Sequence, residues 1–361
     1  MSNHNPQMNP ITPEQKASLR SRLIVAAILI ILIVPSFFVG QWLFFGIVAI
    51  FLALATTEMI MAPHKPFKWY VYLLTYVVVF SYVYWFVFKG NFGELITARN
   101  GGYEYHFSLE NYFRTLDISI VGIASSIFLY CLLGILDKNF SWNDVAYFIA
   151  FTILLGLGFQ AFFFCRYYPF YMFGSNGNFN GLTETSKGLL WYGGYSGADL
   201  IQTNIFKYLG SSSLLFFVIL ITSMNDAGAY FVGSAFGKHK MNERISPHKT
   251  WEGFFGGWII GAVAGLIFGL VITFLGYPML PTLTSTTWYW VAALAVVIPL
   301  ISDLGDLAFS MIKRNFGIKD YGNILKGHGG IVDRMGSDMF TCIFTAVVCI
   351  FITNGWNIFI K

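Results

Sequence analysis

Long apolar runs separated by short polar segments make up most of the chain. A membrane-spanning helix needs about 20 mainly apolar residues, because the hydrocarbon core is ~30 Å thick and a helix rises 1.5 Å per residue. About nine runs are long enough, near 23–40, 42–62, 69–88, 118–136, 145–167, 212–233, 254–276, 287–309 and 339–358. The pattern predicts an all-α, polytopic integral membrane protein with about nine transmembrane helices. The first run has no small-residue cleavage site, so we expect it to be retained.

The composition supports this interpretation. Hydrophobic residues make up 56% of the chain and charged residues only 11%, whereas soluble domains carry about 25% charged residues. A water-soluble core of this size does not need so much apolar surface. The composition therefore excludes an ordinary soluble enzyme.

The basic residues indicate an orientation. If the N-terminus is cytoplasmic, 15 of the 22 Lys and Arg residues fall in the predicted inside segments, which are 1–22, 63–68, 137–144, 234–253 and 310–338. Short cytoplasmic loops carry an excess of Lys and Arg. We therefore expect the N-terminus to be cytoplasmic and the C-terminus to lie outside.

This topology divides the chain into three parts. Residues 1–22 form a cytoplasmic segment, and 23–210 hold the N-terminal and middle helices with long outside loops at 89–117 and 168–211. Residues 211–361 form the expected catalytic transmembrane domain, with cytoplasmic loops 234–253 and 310–338.

Acidic and amide side chains fall inside two of the late spans. Asn225 and Asp226 lie in the sixth span, and Asp303 and Asp306 lie in the eighth, on one helix face because they are three residues apart. Ionisable groups in a span are costly and indicate function. Both spans run in the same direction, so we expect these carboxylates to meet in a cavity open to the cytoplasm. Divalent cations would relieve their repulsion. The alternative is a set of protonated or hydrogen-bonded acids that hold helices together.

The two cytoplasmic loops supply the opposite charge. They contain nine Lys or Arg residues, and the second also contains Gly327-His-Gly-Gly330 followed by Asp333 and Arg334. Glycine lets backbone N–H groups approach an anion closely. Basic residues alone are explained by contact with anionic lipid. Acid pairs beside basic, glycine-rich loops instead favour phosphoryl or nucleotidyl transfer with metal ions.

Four segments carry a resemblance to a known family. They are Asn225-Asp-Ala-Gly-Ala-Tyr230, Ser246-Pro-His-Lys-Thr-Trp-Glu-Gly253, Gly305-Asp306-Leu307, and Ser310-Met-Ile-Lys-Arg followed by Lys319-Asp320 and Gly327-His-Gly-Gly-Ile-Val-Asp-Arg334. Together they resemble the signature of phosphatidate cytidylyltransferases (CDP-diacylglycerol synthases), over roughly residues 212–345.

The resemblance implies the reaction CTP + phosphatidate → CDP-diacylglycerol + pyrophosphate, with Mg²⁺ and a possible second cation. It links Asp306 and Asp333 to metal, and we expect Asp226 to assist them. The remaining expected catalytic residues are Lys249, Lys319, His328 and Arg334. The expected substrate-binding residues are Asn225, Ser246, Thr250, Glu252, Lys313, Arg314, Asp320, Gly329 and Gly330.

The expected partners are CTP, phosphatidate and membrane lipids, with no nucleic acid. The resemblance alone suggests a homodimer. We expect a multi-pass protein of a bacterial inner (plasma) membrane, with its active site facing the cytoplasm. Ser246 and Thr250 could equally cap the following helix, and Glu252 could order nearby lysines or bind metal.

One position departs from the family pattern. The family places an aspartate where this chain has Gly336, and Asp338 lies about 200° further round a helix. Lys326 also stands where proline is common. Two rival functions stay open: an ion-coupled transporter, and another membrane phosphotransferase such as a polyprenol kinase or a nucleotide-sugar:polyprenyl-phosphate transferase. Gly336 also keeps open an inactive relative.

Overall fold

The computed structural model describes residues 31, 35–36, 41–83, 120–175, 204–276, 278–322 and 329–355. These residues form eight helices and one antiparallel two-stranded sheet. The helices are α1 (Gln41–Met61), α2 (Trp69–Val83), α3 (Ile120–Leu136), α4 (Trp142–Ser175), α5 (Asn204–Phe236), α6 (Trp251–Phe274), α7 (Trp288–Asn315) and α8 (Ile331–Asn354). The strands are β1 (Lys240–Asn242) and β2 (Ser246–Thr250), which lie between α5 and α6.

Six helices are long and apolar enough to cross a bilayer, namely α1 and α4 to α8, while α2 and α3 are shorter apolar helices. Helices suit a lipid environment because they satisfy their own backbone hydrogen bonds. Eight of the predicted spans each coincide with a described helix. The predicted polytopic membrane architecture is thus confirmed. The span at 23–40 lies almost wholly outside the described residues, so the count of nine and the orientation stay predictions.

The helices pack as one bundle in the described part of the chain. Helix α6 packs against α5 and α7, and α8 packs against α7, α4 and α5. Helix α1 contacts both α4 and α8. The early helix α1 therefore lies directly against α8, which carries the predicted site residues Asp333 and Arg334.

Both segments predicted as cytoplasmic loops are more regular than expected. In 234–253, α5 continues to Phe236, a β-hairpin follows, and α6 begins at Trp251. In 310–338, α7 continues to Asn315 and α8 begins at Ile331. These polar helix ends extend beyond the apolar runs, and basic residues in the last turn of α7 favour its extension because they complement the helix dipole. The predicted all-α class is confirmed, and the short hairpin of β1 and β2 is an addition that the sequence did not predict.

The predicted outside loops lie mostly beyond the described residues. Of loop 168–211, the two ends are helical, because α4 continues to Ser175 and α5 begins at Asn204. Loop 89–117 lies entirely outside the described residues.

Candidate active site

The packing of α5 on α6 places the first predicted site residues. Helix α6 presents glycines at every fourth position toward α5, and these buried residues are Gly253, Gly257, Gly261, Gly265 and Gly269. A Cβ atom at Gly257 would lie 2.6 Å from the Asn225 carbonyl oxygen. The two backbones therefore approach closely, as small residues permit in membrane helices. This contact fixes the height of Asn225 and Asp226 against α6. We call the five residues the α6 glycine face.

Carboxylates from α5 and α7 meet the lysine of β2. The Lys249 ammonium lies 2.7 Å from Asp306 Oδ2 and 3.2 Å from Asp303 Oδ1. Asn225 Nδ2 donates to Asp303 Oδ2 at 3.4 Å. Asp226 lies within electrostatic range of both aspartates and of the lysine. The predicted convergence of acids from two spans is present, and we call these five residues the Lys249 cluster.

The members of the Lys249 cluster differ in accessibility. The Asp303 side chain is only 6% exposed, whereas that of Asp306 is 41% exposed. Burial alone would lower the pKa of the Lys249 ammonium, but the carboxylates of Asp306 and Asp303 outweigh this and raise its pKa above the usual value. Asp303 therefore anchors a permanently charged lysine, while Asp306 can contact a soluble ligand.

Asn225 contributes a further polar atom. Its residue is fully buried, and its Oδ1 has no hydrogen-bond partner among the described residues. The same amide donates to Asp303 through Nδ2. The α6 glycine face thus places Asn225 so that its amide nitrogen holds Asp303, and its role in substrate binding stays a prediction.

A second group of charges lies further along α7. Lys313 follows Asp306 by seven residues, which is two turns and about 10 Å on the same helix face. Its ammonium lies 2.8 Å from Asp333 Oδ1 in the first turn of α8. Asp333 Oδ2 accepts from the backbone N–H groups of Tyr321 (2.8 Å) and Gly330 (3.0 Å). We call Lys313, Tyr321, Gly330 and Asp333 the Asp333 cluster.

Tyr321 links this cluster back to α7. Its hydroxyl donates to the Phe309 carbonyl at 3.0 Å, and the Lys313 ammonium lies 5.8 Å from the centre of its ring. Burial raises the pKa of the Tyr321 hydroxyl. The tyrosine therefore stays neutral, and its ring lies beside the Lys313 ammonium. Sequence reasoning did not identify it.

Glu58 is the other residue that the sequence analysis missed. It lies in α1, is 2% exposed, and accepts from the N–H groups of Ile331 and Val332, both at 2.9 Å. A single acidic residue in an apolar span is a recognisable signal of function. The surrounding residues of α1 are apolar or small, so no second charged group in that helix points to a site around Glu58.

Several predicted substrate-binding residues make structural contacts. Thr250 Oγ1 accepts from Gly253 N at 3.2 Å and caps α6, which is one of the two roles considered for it. Glu252 accepts from the backbone N–H groups of Lys238 and His239, and so closes the hairpin. Arg314 donates to the carbonyls of Ile245 (3.1 Å) and Ile318 (3.0 Å), which ties the hairpin to the end of α7.

The remaining predicted residues surround these clusters. Lys319, Asp320 and Arg334 are exposed, and Ser246 is half-buried on β2. Gly329 has φ +82°, a conformation that favours glycine. The N–H group of Gly330 is already bonded to Asp333. His328 lies outside the described residues.

The departure at Gly336 has a physical cause. A Cβ atom there would lie 2.5 Å from Phe309 Cδ2, so the ring fills the space that an aspartate side chain would need. Asp338 points toward α5 instead, where its Oδ1 accepts from Thr222 Oγ1 at 2.6 Å. It also lies within electrostatic range of Asp226. The acid at 338 thus faces the Lys249 cluster from α8.

Comparison with known families agrees with these motifs. The model of the cytidylyltransferase family matches residues 20–352, which include every described helix except the last two residues of α8. The chain belongs to the cytidylyltransferase family. The predicted resemblance is confirmed, and both charged clusters lie within the matched residues of this cytidylyltransferase-family chain.

Similar proteins include three bacterial enzymes named phosphatidate cytidylyltransferase. That of Staphylococcus epidermidis is 31% identical over 224 residues, which are 62% of this chain and 66% of the relative. That of Bacillus subtilis is 40% identical over 130 residues (36% and 45%), and that of Mycobacterium leprae is 42% identical over 121 residues (34% and 35%). This cytidylyltransferase-family chain therefore spans between about a third and two thirds of the length of these relatives.

Proposed function

We propose that the chain transfers the cytidylyl group of CTP to phosphatidate and releases CDP-diacylglycerol and pyrophosphate. Membership of the cytidylyltransferase family and the names of the bacterial relatives support this proposal. The observation that carries it is the pair of lysine–carboxylate clusters on one face of α7, with Asp306 as the accessible acid of the Lys249 cluster. Such an arrangement suits a reaction in which two phosphate-bearing substrates meet at a membrane.

The proposal includes a topology. All elements of the site lie at one end of the bundle: the C-terminal ends of α1, α5 and α7, the N-terminal ends of α6 and α8, and the β-hairpin. Nine transmembrane helices, a cytoplasmic N-terminus and an outside C-terminus would place this end at the cytoplasmic face of a bacterial inner membrane. The excess of Lys and Arg in the segments at this end supports that orientation. A homodimer is also proposed, from the family resemblance.

The donor set fits a hard divalent cation such as Mg²⁺. Among the described residues, no three Asp, Glu, His or Cys side chains lie close enough to hold a metal ion by themselves. Mg²⁺ usually takes one or two carboxylates and completes its shell with water and substrate phosphates. Asp306 and Asp226 would supply the first carboxylates, and the Lys249 ammonium beside Asp306 shows that this space accepts positive charge.

Asp333 would hold the second cation, apart from Asp306 and Asp226, because no three acids among the described residues can share one ion. Its Oδ2 accepts two backbone hydrogen bonds, whereas its Oδ1 accepts only from Lys313 in the described structure. Oδ1 therefore retains a lone pair for a further partner. When bound, the metal would polarise the phosphates and neutralise their charge.

The remaining residues neutralise and orient the substrates. A phosphate oxygen of phosphatidate would attack the α-phosphorus of CTP, and the bond from that phosphorus to the β-phosphate oxygen would break as pyrophosphate leaves. Lys249 and Lys313 would balance the charge that develops on the phosphates. The side chains of Lys319, Arg334 and Arg314 are exposed, and we call them the basic rim. They would attract CTP. A role for His328 in hydrogen bonding to phosphate stays a prediction.

One assay tests the proposal against its rivals. Purified chain in detergent micelles would be incubated with phosphatidate, Mg²⁺ and CTP labelled at the α-phosphate, and the lipid fraction analysed. We expect labelled CDP-diacylglycerol, and no product from the folded Asp306→Asn variant. Transfer of label only from γ-labelled CTP would indicate a kinase. No labelled lipid from folded wild-type chain would overturn the proposal, and substrate flux in liposomes without CTP would favour a transporter.

A further inference from the structure

Three backbone N–H groups at the start of α8 are bonded to carboxylates. Asp333, within the helix, takes the N–H of Gly330, and Glu58 takes those of Ile331 and Val332. The first turn of a helix has no internal partners for these groups. Glu58 therefore acts as a cap supplied by a helix 273 residues earlier in the chain.

The carboxylate is well suited to this position. Negative charge is favoured at a helix N-terminus because of the helix dipole, and hydrogen bonds to an ionised acceptor are stronger than neutral ones. Glu58 is 2% exposed, so both effects act with little screening by water. Three N–H groups at the α8 N-terminus are thus already bonded to carboxylates of the protein.

Two glycines show how closely the chain packs on Glu58. A Cβ atom at Gly330 would collide with the Glu58 carboxylate, and one at Gly322 would lie 2.8 Å from Glu58 Oε1. These glycines precede and follow residues 323–328 in sequence. The backbone before and after residues 323–328 therefore packs on one buried carboxylate from α1.

We infer that Glu58 is a positioning residue that fixes the first turn of α8 and thereby holds the Asp333 cluster in place. This inference rests on the proposed function. If that turn moved, Asp333 would move with it. The 2.8 Å ion pair between the Asp333 carboxylate and the Lys313 ammonium would then be disturbed. The separation between the Asp333 cluster and the Lys249 cluster is then set partly by α1, outside the segments that carry the family signature.

Two substitutions separate this role from simple packing. Glu58→Gln keeps the shape but loses the charge, and its amide NH₂ would face a backbone N–H group. Glu58→Asp is one methylene shorter but keeps the charge and both acceptor oxygens. A positioning role predicts that Asp retains more activity than Gln, whereas a space-filling role predicts the reverse order. Thr56→Val is the matched control, because Thr56 is buried on the same helix and bonds only Leu52 O of α1 at 2.7 Å among the described residues.

The experiment measures kcat with CTP and phosphatidate, and hydrogen–deuterium exchange of the peptide containing Ile331 and Val332, below the Tm of each variant. Loss of an outer-shell partner commonly costs about 10–100-fold in activity, so kcat of Glu58→Gln should fall within that range. Losing one charge-assisted hydrogen bond corresponds to roughly 10–100-fold faster exchange. Thr56→Val should match wild type in both measurements.

The outcomes are distinct. Three results would each overturn the inference. Glu58→Gln could match wild type in both kcat and exchange, or it could have a higher kcat than Glu58→Asp. It could also have a lower kcat without faster exchange. If folded wild-type chain makes no CDP-diacylglycerol, the proposed function fails, and the exchange measurement alone then decides whether Glu58 holds α8.

Discussion

The contact between α5 and α6 offers a sharp test of how the site is built. In Gly257→Ala, the added Cβ would lie 2.6 Å from the Asn225 carbonyl oxygen and 2.9 Å from Ala229 Cβ. Ordinary contacts begin near 3.4 Å, so α5 must move away by about 0.8 Å. The carbonyl belongs to the backbone and cannot rotate aside as a flexible side chain could. The substitution therefore displaces the helix that carries Asn225 and Asp226.

The cost can be worked out from this geometry. Overpacking a well-filled interior costs typically about 1–3 kcal/mol, and alanine regains up to ~1 kcal/mol over glycine in a helix. The net loss of about 1 kcal/mol would lower Tm by roughly 1–3 °C in a chain longer than 250 residues. A misplacement near 1 Å can cost about 100-fold in rate. We therefore expect kcat to fall at least about tenfold, because Asn225 holds Asp303.

The assay compares thermal unfolding in detergent with kcat of the folded fraction. Gly46→Ala in α1 is the control, because a Cβ there meets nothing within 4 Å among the described residues. That variant should keep wild-type kcat and an equal or slightly higher Tm. If Gly257→Ala matches wild type in both Tm and kcat, the close packing of α5 on α6 does not position the site.

Three further predictions follow from single contacts. Gly336→Asp should lower Tm, because the Phe309 ring fills the space beside Gly336. The fall in Tm should be smaller in a Phe309→Ala background, and an equal fall in both backgrounds of this double-mutant cycle would contradict the assignment. Lys249→Met should cost about 3 kcal/mol of stability and most of the activity, since it leaves buried carboxylates without their cation; an unchanged Tm would count against the ion pair. The hydrogen bond from Tyr70 lowers the pKa of Asp137, so its stabilisation is present above the unfolded pKa of about 3.9 and is lost as pH falls through the lower folded value. Tyr70→Phe should therefore lower Tm at pH 7 but not near pH 2, and an equal fall at both pH values would refute the assignment.

The sequence was sufficient for the spans and for the acids within them. Apolar length alone predicts a spanning helix, because the membrane sets the requirement. The equal depth of Asp226 and Asp306 follows from helix rise and the parallel direction of α5 and α7, and the structure brings both side chains into the Lys249 cluster. Local periodicity carries this information without knowledge of the tertiary fold.

The remaining features depend on contacts between distant segments. The short hairpin around β2 contains proline and charged residues, so its pattern does not resemble an alternating strand. The start of α8 at Ile331 depends on Glu58 from α1, and no local pattern contains that pairing. Likewise, the reason for Gly336 is the ring of Phe309 on another helix.

The charges of the site bear on how it can bind a polyanion. In the Lys249 cluster, three aspartates face one lysine, which leaves a net charge of about −2 if all are ionised. The Asp333 cluster is neutral through its pair with Lys313. The Lys249 cluster would repel a nucleoside triphosphate, because like charges at close range cost several kcal/mol in a partly buried site. The basic rim can attract CTP, but its exposed side chains are screened by salt and do not cancel buried carboxylates.

Divalent cations between Asp306 and the phosphates would reverse the sign of the interaction. The same aspartates that would oppose the substrate alone would then bind it through the metal, which is the physical argument for a Mg²⁺-dependent reaction in this chain.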